Sequence, residues 1–275
     1  MYLLRKMVLA GLLFSAGVNM FAQESAYAYD ANGNLTKDLN KNIVDIQYNS
    51  LNLPSRIVFK NGDNISHVYS ADGSKLRTVR VADGDTLTTD YCGNVIYENG
   101  VPVRLMTDVG YIALSDTSYH YFIKDHQGNV RVVADEHGNA EEVNDYYAFG
   151  GLMSTSSRQS VQPYKYNGKE LETACGVNWY DYGARRYDPV LGRWNGVDPL
   201  CEDYYSENPY GYCGNNPVNY VDPNGLMKVL YNPDGTYKET THNNWFHNTF
   251  MGRQEYIDYG DRKVHLSDSE FWQWQ

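Results

Sequence analysis

The sequence predicts an all-β protein built from antiparallel strand–turn–strand units, and three observations predict it. Tyr, Gly and Asn number 26, 24 and 26 among the 275 residues, over a quarter of the chain. Tyr suits the half-buried face of a pleated sheet, while Gly and Asn supply the positions at which a chain reverses. Beyond the N-terminal segment no long window carries apolar residues at helical spacing, which excludes an all-α protein. Short alternating runs recur instead: Val44, Ile46 and Tyr48 are expected on one face of a strand, and Ile57 and Phe59 on one face of the next. An apolar fraction of 42% is too high for general disorder, and a mean hydropathy of −0.59 assigns the polar remainder to surface and turns.

Taken in order, residues 1–22 read as an export signal. Arg5 and Lys6 precede an apolar run from Met7 to Phe14, and a softer stretch ends at Ala22, the charged, apolar, small order of a secretory signal with cleavage expected after Ala22. Ser15, Gly17 and Asn19 interrupt the run before it reaches the roughly 20 apolar residues of a spanning helix, so no stable membrane span is expected once the signal is removed. Export permits disulfides. Cys92, Cys175, Cys201 and Cys213 lie 83, 26 and 12 residues apart with no Cys-x-x-Cys element, which speaks against a zinc site. Cys201 with Cys213 is the natural pair, and four free thiols are the alternative.

Residues 23–118 carry a repeat. Tyr29, Tyr48, Tyr69 and Tyr91 stand 19, 21 and 22 residues apart, each followed by a polar turn such as Asp30-Ala31-Asn32-Gly33-Asn34. Periods of this size mark arrays whose units cannot bury their own face and must stack on their neighbours. The Asp-x-x-Gly-Asn turns at Asp30, Asp125 and Asp135 have a mechanism: Asp bonds backbone two residues on, and Gly and Asn are expected to take the left-handed conformation. They look like calcium loops but lack the twelve-residue loop with its terminal Glu, so neither metal nor cofactor is expected.

Residues 119–226 hold two motif-rich blocks. The first is Tyr119-His120-Tyr121-Phe122-Ile123-Lys124-Asp125-His126-Gln127-Gly128-Asn129-Val130-Arg131, then Asp145-Tyr146-Tyr147-Ala148-Phe149-Gly150. The second comprises Tyr166-Asn167-Gly168-Lys169-Glu170, Gly183-Ala184-Arg185-Arg186-Tyr187-Asp188-Pro189, Leu191-Gly192-Arg193-Trp194, Val197-Asp198-Pro199 and Asn215 to Leu226. Their succession, with the Tyr-Asp repeats before them, resembles the YD-repeat family of rearrangement-hotspot (RHS) and teneurin-type proteins and its RHS-associated core, over about residues 27–226. The resemblance implies a β-sheet strip forming part of a spiral shell that ends in a core plug and encloses a variable C-terminal segment, often a toxin. It also implies, as partners, a longer RHS chain or an immunity protein. Independently of the resemblance, Asp188-Pro189-Val190-Leu191-Gly192 reads as a hairpin corner that sets Tyr187 opposite Trp194.

The candidate chemistry is a pair of carboxylates. In toxin-bearing relatives, Asp residues of the core's Asp-Pro motifs resemble an aspartyl-peptidase pair that cuts the chain after a terminal Asp-Pro-x-Gly-Leu. The corresponding residues are Asp188 and Asp198, with Arg185 beside them and the bond Leu226–Met227 as the one cut. Peptide hydrolysis needs one carboxylate to deprotonate water and one protonated carboxyl to polarise the carbonyl. A plain hairpin does not bring the two Asp together, so the tertiary fold would have to. The alternative is that Asp188, Asp198 and Asp222 are turn residues before Pro, a role that accounts for the dipeptide.

Residues 227–275 form a separate compositional unit without Cys. A hairpin is expected from Lys228 to Tyr237 around Asn232-Pro233-Asp234-Gly235, and Ser267-Asp268-Ser269-Glu270 could cap a short terminal helix. His242, His247, His265, Asp258 and Asp261 are residues a metal-dependent nuclease would recruit, but their spacing fits no metal motif. A net charge of −11, from 23 basic and 34 acidic residues, argues against a nucleic-acid partner. The readings that remain are an exported RHS-core protein of polymorphic-toxin type, its self-cleavage after Leu226 left open, and a non-enzymatic β-scaffold, cell-surface binding module or truncated remnant that packs with a longer RHS chain.

Overall fold

The computed structural model describes residues 25–157, 161–203, 207–226, 228–231, 237–240, 256–258 and 263–265. The expected signal, the turn 232–236 and the expected terminal helix lie outside the described residues. One antiparallel sheet takes up the first half of the chain. Its strands follow one another in sequence order: β1 (Tyr27–Tyr29), β2 (Leu35–Asp38), β3 (Ile43–Tyr48), β4 (Pro54–Phe59), β5 (Asn64–Tyr69), β6 (Lys75–Ala82), β7 (Asp85–Cys92), β8 (Val95–Glu98), β9 (Val101–Thr107), β10 (Gly110–Ala113), β11 (Tyr119–Lys124), β12 (Val130–Asp135) and β13 (Ala140–Val143). The all-β antiparallel class expected from the sequence is the class observed, and the sheet runs unbroken across residue 118.

The turns explain the order. At Asp30 one carboxylate oxygen accepts the N–H of Asn32 and of Asn34 at 2.9 and 2.8 Å, and Gly33 takes φ +81°. The arrangement recurs at Asp125 with Asn129 and at Asp135 with Asn139. The Asn residues differ from expectation: the left-handed residue is the Gly, and each Asn side chain instead donates to the second oxygen of the Asp, at 2.8 to 3.0 Å. Each turn therefore satisfies its own polar groups locally, which allows a tight connection between successive strands.

Register departs from plain alternation in β3. A bulge between Ile43 and Asp45 turns Ile43 inward in place of Val44, which is exposed, while Ile46 and Tyr48 face the core as expected. Ile57 and Phe59 of β4 are both buried, as expected.

A second, four-stranded sheet covers the inner face: β14 (Glu170–Glu172), β15 (Trp179–Asp181), β16 (Arg186–Asp188) and β17 (Arg193–Trp194). The register pairs Tyr187 with Trp194, as the hairpin reading requires. Leu35, Ile43, Ile46, Ile57, Phe59 and Ile65 of the long sheet pack on Val177 and Trp179. Where the sheet turns polar, charges take over: Lys75 reaches Glu170 and Asp181 at 2.7 and 2.6 Å, Arg80 meets Glu172 at 2.7 Å, and the Tyr91 hydroxyl donates to Glu170 at 2.7 Å.

The core of the second sheet is aromatic. Tyr166, Tyr180, Tyr182, Tyr187, Trp194 and Tyr212 are all at most 2% exposed, with Tyr187 and Tyr212 rings 4.1 Å apart. Three consecutive carbonyls explain why these rings are Tyr: Tyr166, Tyr187 and Tyr180 donate to the carbonyls of Ala148, Phe149 and Gly150 at 3.0, 2.9 and 2.9 Å. Gly150 takes φ +85°, and a Cβ there would stand 2.6 Å from the Tyr166 ring. Finally β18 (Tyr220–Val221), β19 (Val229–Tyr231) and β20 (Tyr237–Thr240) form a three-stranded sheet, and β21 (Tyr256–Asp258) pairs with β22 (Lys263–His265). The hairpin expected after Lys228 is β19 and β20.

Candidate functional site

Each Asp-Pro dipeptide opens a turn, and each Asp spends one oxygen on it. Asp188 Oδ1 accepts Val190 N and Leu191 N at 2.9 and 3.3 Å, and Asp198 Oδ1 accepts Leu200 N at 2.8 Å. Asp222 Oδ1 accepts Asn224 N, Gly225 N and Leu226 N at 3.2, 2.7 and 3.2 Å. The turn reading is correct for all three, and the second oxygen distinguishes them.

Asp188 sits on β16 opposite Arg193, and its Oδ2 accepts from Trp179 Nε1 at 3.1 Å and lies 3.2 Å from Lys41 Nζ. It joins the second sheet to the long one. Arg185, in the turn between β15 and β16, points the other way: its Nη2 lies 2.8 Å from Asp198 Oδ2 and 3.5 Å from Asp222 Oδ2. The structure thus brings two of the three expected residues, Arg185 and Asp198, together, adds Asp222, and holds Asp188 among other partners. The shared register that sets Tyr187 against Trp194 directs Asp188 toward Trp179 and Lys41.

The guanidinium is fixed from several sides. Arg185 Nε donates to the Gly225 carbonyl at 2.5 Å, Nη1 to Pro209 O at 3.3 Å, and the group lies 4.2 Å over the Trp194 ring. Ala184 N donates to Asn224 O at 3.2 Å, tying the Arg185 turn to the Asp222 turn. Gly225 takes φ +82°, and a Cβ there would approach Arg185 N at 3.1 Å, so glycine permits this close approach. Leu226, one side of the bond named from sequence, is therefore held directly beside the Arg185–Asp222 contact. Met227 lies outside the described residues.

Burial sets the electrostatics. Asp222 is almost wholly buried, and desolvation pushes its carboxyl up to about 6 although Arg185 and the turn amides pull it down. Burial also lowers Arg185, opposed by Asp198 and Asp222. The Cys213 thiol beside them is pushed well up by burial. Arg185, Asp198, Asp222, Cys201, Glu207 and Lys228 line a small cleft of about 30 Å³, room for roughly one or two waters. All four cysteines are free thiols, Cys201 and Cys213 included. The chemistry available is that of two carboxyls of unlike environment about one arginine, with backbone beside them.

From the sequence Asp222 reads as a turn residue, and nothing local marks Glu207. The signal for Asp222 was its place: a third Asp-Pro, four residues before the named bond. Of the tail residues considered for a metal, His242, His247 and Asp261 lie outside the described residues, and only the backbone of Asp258 and His265 is described.

No protein-family model matches the chain. It is similar to salivary gland surface protein 1 of Aedes aegypti, with 30% identity over 233 residues, 75% of this chain and 7% of that protein. It is similar to toxin subunit YenC1 of Yersinia entomophaga, with 36% identity over 116 residues, 41% of this chain and 12% of that protein. Among solved structures, it shares the fold of a chain in the Tc holotoxin pore of Photorhabdus luminescens, with a TM-score of 0.61 and 21% identity over 76% of this chain and 11% of that one. The chain spans about a tenth of the length of these relatives.

Proposed function

We propose that the chain is the shell-and-core part of an exported RHS-type toxin-delivery protein and that it cuts its own backbone between Leu226 and Met227. One observation carries the reading: Asp198 and Asp222 share Arg185 while Arg185 Nε and Asp222 Oδ1 hold the backbone of residues 224–226. The roles follow from the environments. Asp198, paired with Arg185 at 2.8 Å, takes a proton from a water in the cleft. Asp222, whose carboxyl burial raises to about 6, carries the proton that polarises the Leu226 carbonyl and then passes to the departing amine. Water adds across the C–N bond, leaving a carboxylate on Leu226 and an amine on Met227. Asp188 takes no part in this arrangement.

The likeness to a toxin subunit and to a Tc holotoxin chain supports a toxin-type assembly, with a longer RHS chain as the partner the resemblance implies. Export rests on the charged, apolar, small order of residues 1–22. Denaturing electrophoresis of the purified chain followed by N-terminal sequencing tests the cut: a fragment beginning at Met227 is expected, and a single uncut species leaves the scaffold reading in its place.

A further inference from the structure

We infer that Glu207 and Lys228 are a positioning pair for the cut, a carboxylate on the core gripping the second residue beyond the bond. The inference rests on the self-cleavage reading and concerns the side of the bond on which that reading is silent. Upstream, the chain is held by Arg185 Nε on Gly225 O and by three amides on Asp222 Oδ1. Attack on a peptide carbonyl requires the bond itself to be placed, and a misplacement of about 1 Å costs on the order of a hundredfold in rate. A chain anchored upstream alone would still swing about Leu226.

Two contacts anchor the downstream side. The backbone of β19 pairs with β18, Val229 against Val221 and Leu230 against Tyr220, so the residues that follow the bond return along the strand that precedes it. Lys228, at the entry to β19, places its ammonium on Glu207 Oε1 and 5.6 Å over the Tyr220 ring. Its side chain is 13% exposed, and its Nζ would lie 2.9 Å from a Cβ at Gly214, so the lysine runs down through the space that this glycine leaves. Glu207 and Lys228 line the same cleft as Arg185, Asp198 and Asp222. Neither touches a reacting atom in the proposed hydrolysis. Arg185 grips the chain at Gly225 and Glu207 grips it at Lys228, and the bond to be cut lies between the two grips.

The test is a time course of intact mass during cell-free synthesis, which catches the chain before and after cutting. The variants are Glu207→Lys, Lys228→Glu, the two combined, and Asp222→Asn as the control for chemistry. Each single reversal sets like charges together and is expected to slow the appearance of the cut product by about tenfold or more. The combined reversal restores opposite charges and is expected to return the rate to within about threefold of the parent. Single variants that cut at the parental rate, or a combined variant as slow as the singles, overturn the inference while the self-cleavage reading stands. A parent that stays as intact as Asp222→Asn overturns both.

Discussion

Arg185 places Nη2 2.8 Å from Asp198 Oδ2, and the same nitrogen lies 3.5 Å from Asp222 Oδ2. One cation thus joins carboxylates 24 residues apart in sequence, each already fixed by the turn its own Asp-Pro dipeptide makes. Both oxygens of each Asp are used, one locally and one at the centre, so the arrangement is set by the fold.

The first consequence is a pH profile. In the proposed hydrolysis Asp222 must carry a proton to act as the acid, and burial pushes its carboxyl up to about 6. Cutting is expected to fall as pH rises through 6, by about tenfold per unit above it. Intact mass against time in buffers from pH 5 to 8 reads this directly, and a rate that climbs across that range would assign the acid elsewhere.

Stability should move with the same group. The folded pKa of Asp222, about 6, lies above the ordinary 3.8, so between these values the folded chain binds more protons than the unfolded one. Stability contributed by this group is therefore present at low pH and lost as pH rises from about 4 to about 6. Asp222→Asn removes the dependence, and its stability relative to the parent should rise by up to about 3 kcal/mol over that interval. Urea unfolding at pH 4 and pH 7 measures the change.

The row of carbonyls at Ala148, Phe149 and Gly150 makes the tyrosine hydroxyls structural. Tyr180→Phe and Tyr187→Phe keep the packed ring but leave a buried and a part-buried carbonyl without their donors, and each is expected to cost about 1–3 kcal/mol, the first the more. Tyr147→Phe, at an exposed position, serves as the control and should be neutral within about 0.5 kcal/mol.

Lys75 is the hinge pin of the charged layer between the two sheets. Lys75→Met leaves Glu170 and Asp181 facing each other with less compensation, and a loss of about 3–5 kcal/mol is expected, measured by thermal or urea unfolding. Loss near zero would mean that Arg80 and Arg186 alone neutralise the pair.

How far the sequence could be read follows from what each residue's role depends on. The turns at Asp30, Asp125 and Asp135 were legible because Asp, Gly and Asn act within five residues. The pairing of Tyr187 with Trp194 was legible for the same reason, as the corner at Pro189 fixes it. Val44 was misplaced because a bulge shifts register by one residue, and alternation alone carries no trace of it. That Asp222, and not Asp188, stands beside Arg185 is not legible, because every Asp-Pro looks alike locally. The deciding oxygen faces Trp179 in one case and Arg185 in the other, and both partners are set by how the second sheet and the final turn pack. The Glu207–Lys228 contact spans 21 residues and was invisible for the same reason.

The most direct measurement is the intact mass of the purified parent beside Asp188→Asn, Asp198→Asn and Asp222→Asn, each shown to be folded by circular dichroism. A cut after Leu226 in the parent and in Asp188→Asn, with single uncut species for Asp198→Asn and Asp222→Asn, is the predicted result. A parent that remains whole, or an Asp222→Asn chain cut as fully as the parent, would contradict the assignment of the Arg185 centre as a self-cleaving site.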